Sequence, residues 1–206
     1  MLRFACVVIL LFAGSARVWA DSVRLPVIQD NSIVMVDREW SVNAGSSSRI
    51  RIKGNQHIVA LSFDLAAVQG KTITRAELVC YPAAETISAV TLSTIATPWQ
   101  EMTSTGLTAG IEGINGWGYP GARFPAVSGG NAFTLVHQSE FELRDGKYHC
   151  EVPVDLIHAM TAGVAFGLAL HEHETDYGRN PTIFSREQSS KQPYLLVETE
   201  DRPADA

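Results

Sequence analysis

Positive charge is scarce in this sequence, and the scarcity argues against one class of partner. The chain has 16 lysine and arginine residues against 22 aspartate and glutamate residues, a formal net charge of −6. Two of the cations, Arg3 and Arg17, fall in an N-terminal leader, and the chain beyond it holds 14 basic and 22 acidic residues, or −8. Nucleic-acid binding needs a cationic face. We therefore expect no nucleic-acid partner, although a local cationic patch can still meet an anionic ligand.

Long apolar runs are also scarce. The first twenty residues combine an early cation, an apolar run from Phe4 to Ala13 and the small-residue ending Val18-Trp19-Ala20. This pattern predicts a secretory signal peptide over residues 1–20, with cleavage after Ala16 as the alternative, and it is too short for a membrane anchor. No later segment has 18 consecutive apolar residues. We expect a secreted protein, extracellular, periplasmic or at the cell surface, without membrane insertion.

Cysteine is nearly absent. Cys6 lies inside the leader, which leaves Cys80 and Cys150. An even cysteine count in an exported protein favours a disulfide, here Cys80–Cys150. The alternative is two unpaired thiols in the core, because both cysteines fall on the apolar faces of alternating runs.

The common signatures of catalysis are missing. The sequence has no Gly-x-Ser-x-Gly elbow, no Cys-His signature and no phosphate-binding loop. A hydrolase could still use Asp176 with Glu174, or His171 with Asp176, but paired carboxylates must face each other across about 5–10 Å. Nothing in the spacing establishes that geometry, so we expect no enzyme activity.

Short runs of alternating apolar and polar residues dominate the rest of the chain. Alternation with period two is typical of half-buried strands. One run predicts a strand whose buried face carries Val164, Phe166, Leu168 and Leu170. Only the stretch from Pro153 to Gly163 has the pattern of a short helix. The other runs are SRIRIKG, IVALSFDL, RAELVCY, KYHCEV and PYLLVET. Many short strands without alternating helices predict antiparallel sheets, so we expect an all-β fold, a sandwich or jelly roll.

Several segments of the chain also carry a family resemblance. In chain order they are DNSIVMVD, IVALSFDLAAVQGKTITRAELVCY, TPWQE, VPVDLIHAMTAGVAFGLAL and IFSREQSSKQPYLLVE. Together they resemble the DNRLRE-domain proteins, a group that overlaps carbohydrate-binding module family 96. The hexapeptide that gives the group its name is absent, and only Ser185-Arg186-Glu187 is similar to it.

The resemblance implies a fold and a class of ligand. It implies one antiparallel β-sandwich of jelly-roll type over residues 21–200, followed by a charged tail, residues 201–206. Some members of the group bind polysaccharides such as alginate, usually as modules attached to enzymes or surface proteins.

The segment LHEHETDYGRN is the most polar candidate site. On a strand, His171 and His173 share one face, and Asp176 could add a third ligand for zinc. Glu172, Glu174 and Asp176 offer hard oxygens for calcium, but the glutamates point away from the histidines. The alternatives are a solvent-facing strand end and direct ligand contact by the histidines.

The same strand predicts a low face beside the histidines. Ala165, Gly167 and Ala169 are small, and a shallow face suits an extended sugar chain. The alternative is that a loop covers this face.

Two further candidates are aromatic and cationic. The loop INGWGYPGARFP presents Trp117 and Tyr119 for sugar stacking, unless Trp117 anchors the loop in the core. Arg49, Arg51 and Lys53 form a cationic row on one strand face, and arginine pairs well with carboxylates. The alternative is a strand edge protected by charge.

These observations predict a secreted, non-catalytic protein that binds an anionic extracellular polysaccharide. The predicted ligand contacts are Arg49, Arg51, Trp117, Tyr119, His171 and His173. The alternatives are a structural or cell-surface interaction protein and a metal-dependent lyase or hydrolase. No cofactor is expected; calcium or zinc at His171, His173 and Asp176 is the alternative. The sequence predicts no oligomeric state.

Overall fold

The computed structural model describes residues 21–173 and 178–200 of the 206-residue chain. The predicted signal peptide, the charged tail and Asp176 lie outside the described residues. Ten strands and one α-helix follow one another in these described residues. They are β1 (Asp21–Val34), β2 (Arg49–Arg51), β3 (His57–Phe63), β4 (Thr72–Cys80), β5 (Ala89–Thr94), β6 (Val136–Arg144), β7 (Lys147–Glu151), α1 (Val154–Thr161), β8 (Leu168–Glu172), β9 (Thr182–Phe184) and β10 (Tyr194–Glu200).

Eight of these strands form a closed antiparallel barrel in the order β1-β10-β4-β7-β6-β5-β8-β3, with β3 returning to β1. The predicted all-β, antiparallel class is confirmed. The predicted sandwich would have two separate sheets. The structure instead has one closed sheet, because β1 and β6 each change partner along their length. Residues Asp21–Pro26 of β1 pair with β10 and Val27–Val34 pair with β3. Strand β6 pairs first with β5 and then with β7.

The barrel interior holds the main apolar cluster. It receives alternate side chains from the strands, among them Val59, Leu61, Leu78 and Leu170. The two short strands β2 and β9 form a separate sheet, and their Ile50 and Ile183 join the same cluster. Burial of these side chains drives folding and fixes which face of each strand meets solvent.

A second apolar cluster lies on the outer face of β3 and β8. Residues 95–135, hereafter the covering segment, pack there through Ile95, Trp117 and Phe124 against Ala60 and Ala169. All seven residues of β3 are buried, because both of its faces are covered. Of the low face that the sequence predicts beside the histidines, Ala169 lies beneath the covering segment, whereas Ala165 packs into the main apolar cluster.

Strand β8 is shorter than predicted. It begins at Leu168, and Val164 and Phe166 are exposed, so their prediction as buried strand residues is wrong. Gly167 interrupts the alternation with φ of +144°. A Cβ atom at that position would lie 2.2 Å from the carbonyl oxygen of Leu61, so the close approach of the two strands requires glycine.

The predicted disulfide is wrong: Cys80 and Cys150 are both free and buried. The register of β4 and β7 explains this, because Cys150 lies opposite Leu78 and Cys80 lies opposite Tyr148. The two cysteines are therefore diagonal neighbours, with Cα atoms typically about 7–8 Å apart. Disulfides usually span about 4.4–6.8 Å between Cα atoms.

No helix among residues 21–173 and 178–200 is long and apolar enough to cross a bilayer.

Candidate functional site

The exposed face of β2 presents two guanidinium groups. Ile50 is fully buried in the main cluster, which turns Arg49 and Arg51 outward to solvent. Arg49 lies opposite Phe184 of β9, with its guanidinium carbon 5.5 Å from the ring centroid, and Arg51 lies opposite Thr182. The cationic row predicted from alternation is thus exposed at two of its three positions. Lys53, the third, donates from Nζ to Oδ1 of Asn180 at 3.3 Å.

Both arginines line one groove of about 450 Å³, hereafter the arginine groove. Its walls come from the end of β1, the start of β3, the short sheet and the loop after β1. The lining residues are Ser32, Val34, Glu39, Val42, Ala44, Arg49, Arg51, His57, Ala84 and Thr182. Ser32 fixes one wall by donating its hydroxyl to the carbonyl of Arg51 at 2.7 Å. The groove thus combines small apolar surface with a few polar groups, as ligand sites do.

The electrostatics of the arginine groove favour an anion. Burial, followed by the charges of Arg51 and Lys53, lowers the pKa of His57 from 6.5 to about 4. The imidazole is therefore neutral at pH 7 and accepts or donates hydrogen bonds without adding charge. Among residues 21–173 and 178–200, no salt bridge engages either arginine, and one carboxylate, Glu39, lines the groove. The two guanidinium groups leave the groove with net positive charge.

A second charged face behaves differently. On the outside of β4, β6 and β7, Glu77 accepts from Arg75, Arg144 and His149. Burial alone would raise the pKa of Glu77, but these hydrogen bonds and charges lower it below its usual range. The cations of this face are already paired with a carboxylate of the protein, so the face offers less to an anionic ligand than the arginine groove does.

The two aromatic candidates, Trp117 and Tyr119, differ in their exposure to solvent. Trp117 is fully buried, its Nε1 donates to the carbonyl of Thr105 at 2.8 Å, and its ring meets Phe124 edge-on at 4.6 Å. Trp117 thus anchors the covering segment and presents no ring face to a ligand. Tyr119 is exposed and remains available for contact.

The two histidines, His171 and His173, also differ in their surroundings. The ring of His171 lies beneath the covering segment, beside Gly129, and burial lowers its pKa from 6.5 to about 4. His173 is exposed, and its Nε2 lies 2.6 Å from Oγ1 of Thr91. Glu172 points to the opposite face, where Oε2 accepts from the backbone of Gly54. The zinc hypothesis rested on a third ligand, Asp176, which lies outside the described residues.

A polar cluster that the sequence did not predict lies elsewhere. Asp30 on β1, Glu101 in the covering segment and Glu187 between β9 and β10 bring carboxylate oxygens within 4.8 Å of one another. Nε of Arg186 donates to Oε1 of Glu101 at 2.6 Å, and its backbone N–H donates to Oδ2 of Asp30 at 2.7 Å. Burial raises the pKa of Asp30 from 3.8 to about 7.

A signal for this cluster was present in the sequence. Asp30, Glu101 and Arg186-Glu187 each fall in one of the quoted motif pieces, DNSIVMVD, TPWQE and IFSREQSSKQPYLLVE. The three pieces lie far apart in the chain, so a single sequence does not reveal that these residues are in contact.

No protein-family model matches the chain, and no curated protein matches it.

Proposed function

We propose that the protein is a secreted, non-catalytic carbohydrate-binding protein whose arginine groove takes the carboxylates of an anionic polysaccharide. The observation that carries the proposal is the placement of Arg49 and Arg51 in one groove, on the same exposed strand face. Residues i and i+2 of a strand lie about 7 Å apart. Two guanidinium groups at that spacing offer a row of bidentate donors to an extended chain of acidic sugars.

The groove favours binding over hydrolysis. Glycoside hydrolysis uses two carboxyl groups that flank the scissile bond. One carboxylate, Glu39, lines the described arginine groove, and the neighbouring imidazole of His57 is neutral at pH 7. Fixed cations with apolar surface hold an acidic sugar but provide no acid–base pair.

The family resemblance supports this proposal. Three of the motif pieces that carry it meet in space, at Asp30, Glu101 and Arg186. We also infer that the barrel is a flattened form of the jelly-roll sandwich, since β1 and β6 are each shared between two groups of strands. Export, implied by the leader, would place the protein where polysaccharides occur.

Affinity electrophoresis tests the proposal. Native gels containing alginate, pectin or a sulfated glycan should retard the protein, and gels containing a neutral glucan should not. The Arg49→Ala/Arg51→Ala variant should migrate freely in all of them. Arg24→Ala, which removes an exposed cation stacked on Tyr194 outside the groove, is the matched control and should still be retarded. Free migration of folded wild-type protein in every acidic gel rules the proposal out.

A cell-surface interaction role is the second candidate, favoured by one residue. Phe133 is fully exposed on a loop in which Ala132 and Phe133 both have positive φ, +51° and +61°. The loop is fixed by hydrogen bonds from Gly130 to Thr134 and from Leu135 to Thr94. Strained, exposed positions of this kind often serve contacts. This role predicts association with envelope fractions that Phe133→Ser abolishes and the arginine variant preserves.

A further inference from the structure

His57 lies in the arginine groove beside the two guanidinium groups. It is the first residue of β3, and it lines the groove together with Arg49 and Arg51. Its backbone is held in place, because its carbonyl accepts from the N–H of Lys53 at 2.9 Å and its N–H donates to the carbonyl of Lys53 at 3.2 Å. The turn between β2 and β3 thus fixes the imidazole next to the end of β2.

Ser32 determines which ring nitrogen of His57 carries the proton. The hydroxyl of Ser32 donates its only proton to the carbonyl of Arg51 at 2.7 Å. The same oxygen lies 3.4 Å from Nδ1 of His57, where it can only accept. In the neutral ring, Nδ1 therefore holds the proton and Nε2 has a free lone pair.

Nε2 of His57 has access to solvent. No group among residues 21–173 and 178–200 bonds to Nε2, and this atom is not one of the fully buried, unpartnered polar atoms of that part of the chain. Burial, followed by the charges of Arg51 and Lys53, lowers the pKa of the ring from 6.5 to about 4, so the imidazole is neutral at pH 7. The groove thus presents a neutral hydrogen-bond acceptor next to two cations.

A cation and a neutral acceptor bind different groups of a ligand. Guanidinium groups only donate, so they bind anionic oxygens. An unprotonated imidazole nitrogen only accepts, so it binds a hydroxyl or an N–H group. A sugar acid carries carboxylate and hydroxyl groups on one ring. An anionic ligand without a free hydroxyl would cover Nε2 and leave it unpaired, and an acceptor that loses its water in this way weakens binding.

We propose that His57 determines the specificity of the arginine groove by accepting a hydrogen bond at Nε2 from a free sugar hydroxyl, while Arg49 and Arg51 bind carboxylates. Ser32 is a positioning residue, because it sets the tautomer of His57. This proposal rests on the proposed function, since it concerns the same groove. It adds that the groove selects, among acidic polysaccharides, those whose hydroxyl groups are unblocked.

Calorimetric titration with a uronic-acid oligosaccharide and with its O-acetylated form tests this role. Acetylation keeps the carboxylates and removes the hydroxyl donors. The wild type should bind the acetylated form about fivefold to tenfold more weakly. His57→Phe keeps a flat ring without an acceptor, so it should bind both forms with equal affinity, similar to that of the wild type for the acetylated form.

His149→Phe is the matched control. His149 lies outside the arginine groove, with its Nδ1 3.2 Å from Oε2 of Glu77, and this variant should keep the preference of the wild type. If His57→Phe does not fold, His57→Asn replaces it, because asparagine is polar but ends short of the Nε2 position. A folded His57 variant with the wild-type preference, or a wild type that binds both forms equally, overturns the proposal.

The same titrations separate the two proposals. If the wild type binds neither form, the proposed function fails, and the role of His57 fails with it. If the wild type binds both forms equally and Arg49→Ala/Arg51→Ala binds neither, the groove still takes carboxylates, and only the role of His57 is wrong.

Discussion

At the scale of single residues, the proposed ligand site depends on what kind of cation β2 carries. Arg49 and Arg51 each present a planar fork of donors, and each stands on a strand whose buried residue, Ile50, fixes its direction. Lysine has the same charge but acts as a point donor on a flexible stem. The proposed recognition therefore requires the shape of the guanidinium as well as its charge.

Replacement of arginine by lysine separates the contribution of the guanidinium shape from that of its charge. Arg51→Lys keeps the charge but removes the bidentate geometry, so we expect the affinity for acidic oligosaccharides to fall about threefold to tenfold, or about 1 kcal/mol. Fluorescence or calorimetric titration measures this change. Equal affinity of Arg51→Lys and wild type would show that only charge matters at this position.

Burial of an imidazole predicts a dependence of stability on pH. Burial lowers the pKa of His171 from 6.5 to about 4. The unfolded chain therefore binds a proton below about pH 6.5 that the folded protein does not bind until about pH 4. The contribution of neutral His171 to stability is complete above pH 6.5 and is lost as the pH falls from 6.5 to 4.

Urea unfolding at pH 7.5 and pH 4.5 measures this contribution. The wild type should lose about 2 kcal/mol more over this range than His171→Gln, whose side chain does not titrate. His173→Gln, which changes the exposed histidine just after the end of β8, serves as the control and should behave as the wild type does. An equal loss in His171→Gln and wild type would contradict the burial of this ring.

The two free thiols give a chemical prediction. Burial raises the pKa of Cys80 well above its ordinary value and that of Cys150 to about 11. The thiolate is the reactive form, so neither Cys80 nor Cys150 should react with a thiol reagent in the folded protein. Both should react after unfolding in the absence of reductant. A reductant should leave the melting temperature unchanged. A loss of both reactive thiols in the unfolded, non-reduced protein would indicate the disulfide.

Alternation in the sequence predicted some residue positions and not others. The outward direction of Arg49 and Arg51 follows from local period-two pattern, because Ile50 and Ile52 occupy the other face. The burial of Trp117 and the partial burial of the His171 ring do not follow from the local pattern. They result from the covering segment packing on β3 and β8, a contact between distant parts of the chain.

At the scale of elements, the covering segment forms a second apolar cluster on the outer face of β3 and β8. It has little regular structure apart from a 3-10 helix at Phe124–Val127. Its position therefore depends on side-chain anchors and on backbone bonds such as that from Trp117 to Ala122. Long segments of this kind in compact domains need such anchors.

Removal of the main anchor should destabilise the protein without changing ligand preference. Trp117→Ala deletes a fully buried indole, and we expect a loss of about 3–5 kcal/mol of unfolding free energy by denaturant titration. Tyr119→Ala, an exposed residue of the same loop, should cost less than about 0.5 kcal/mol. A small effect of Trp117→Ala would mean that the covering segment is not held by this side chain.

The strand pattern predicted the all-β class of the fold, but it did not predict that the sheet closes into a barrel. Runs such as HIVALSF and YLLVETE correspond to β3 and β10, because their alternation is local. Closure depends on β1, which is 14 residues long and pairs with two different strands across a shift between Val27 and Gln29. Such pairing is non-local, so no pattern within one segment reveals it.

At the scale of the whole molecule, an acidic protein presents a small cationic site. The chain beyond the predicted signal peptide has a net charge of −8, so a polyanion meets general repulsion and local attraction at the arginine groove. Screening by salt weakens both. Specific binding should therefore rest on close contacts with the two guanidinium groups more than on long-range attraction.

Calorimetric titration with a purified alginate oligosaccharide tests the central claim most directly, using wild type, Arg49→Ala/Arg51→Ala and the Arg24→Ala control at moderate salt. At about 1 kcal/mol for each guanidinium contact, the double variant should bind about 30-fold more weakly than the wild type. Arg24→Ala should bind as the wild type does. Equal affinity of the folded double variant and the wild type would contradict the assignment of the ligand to the arginine groove.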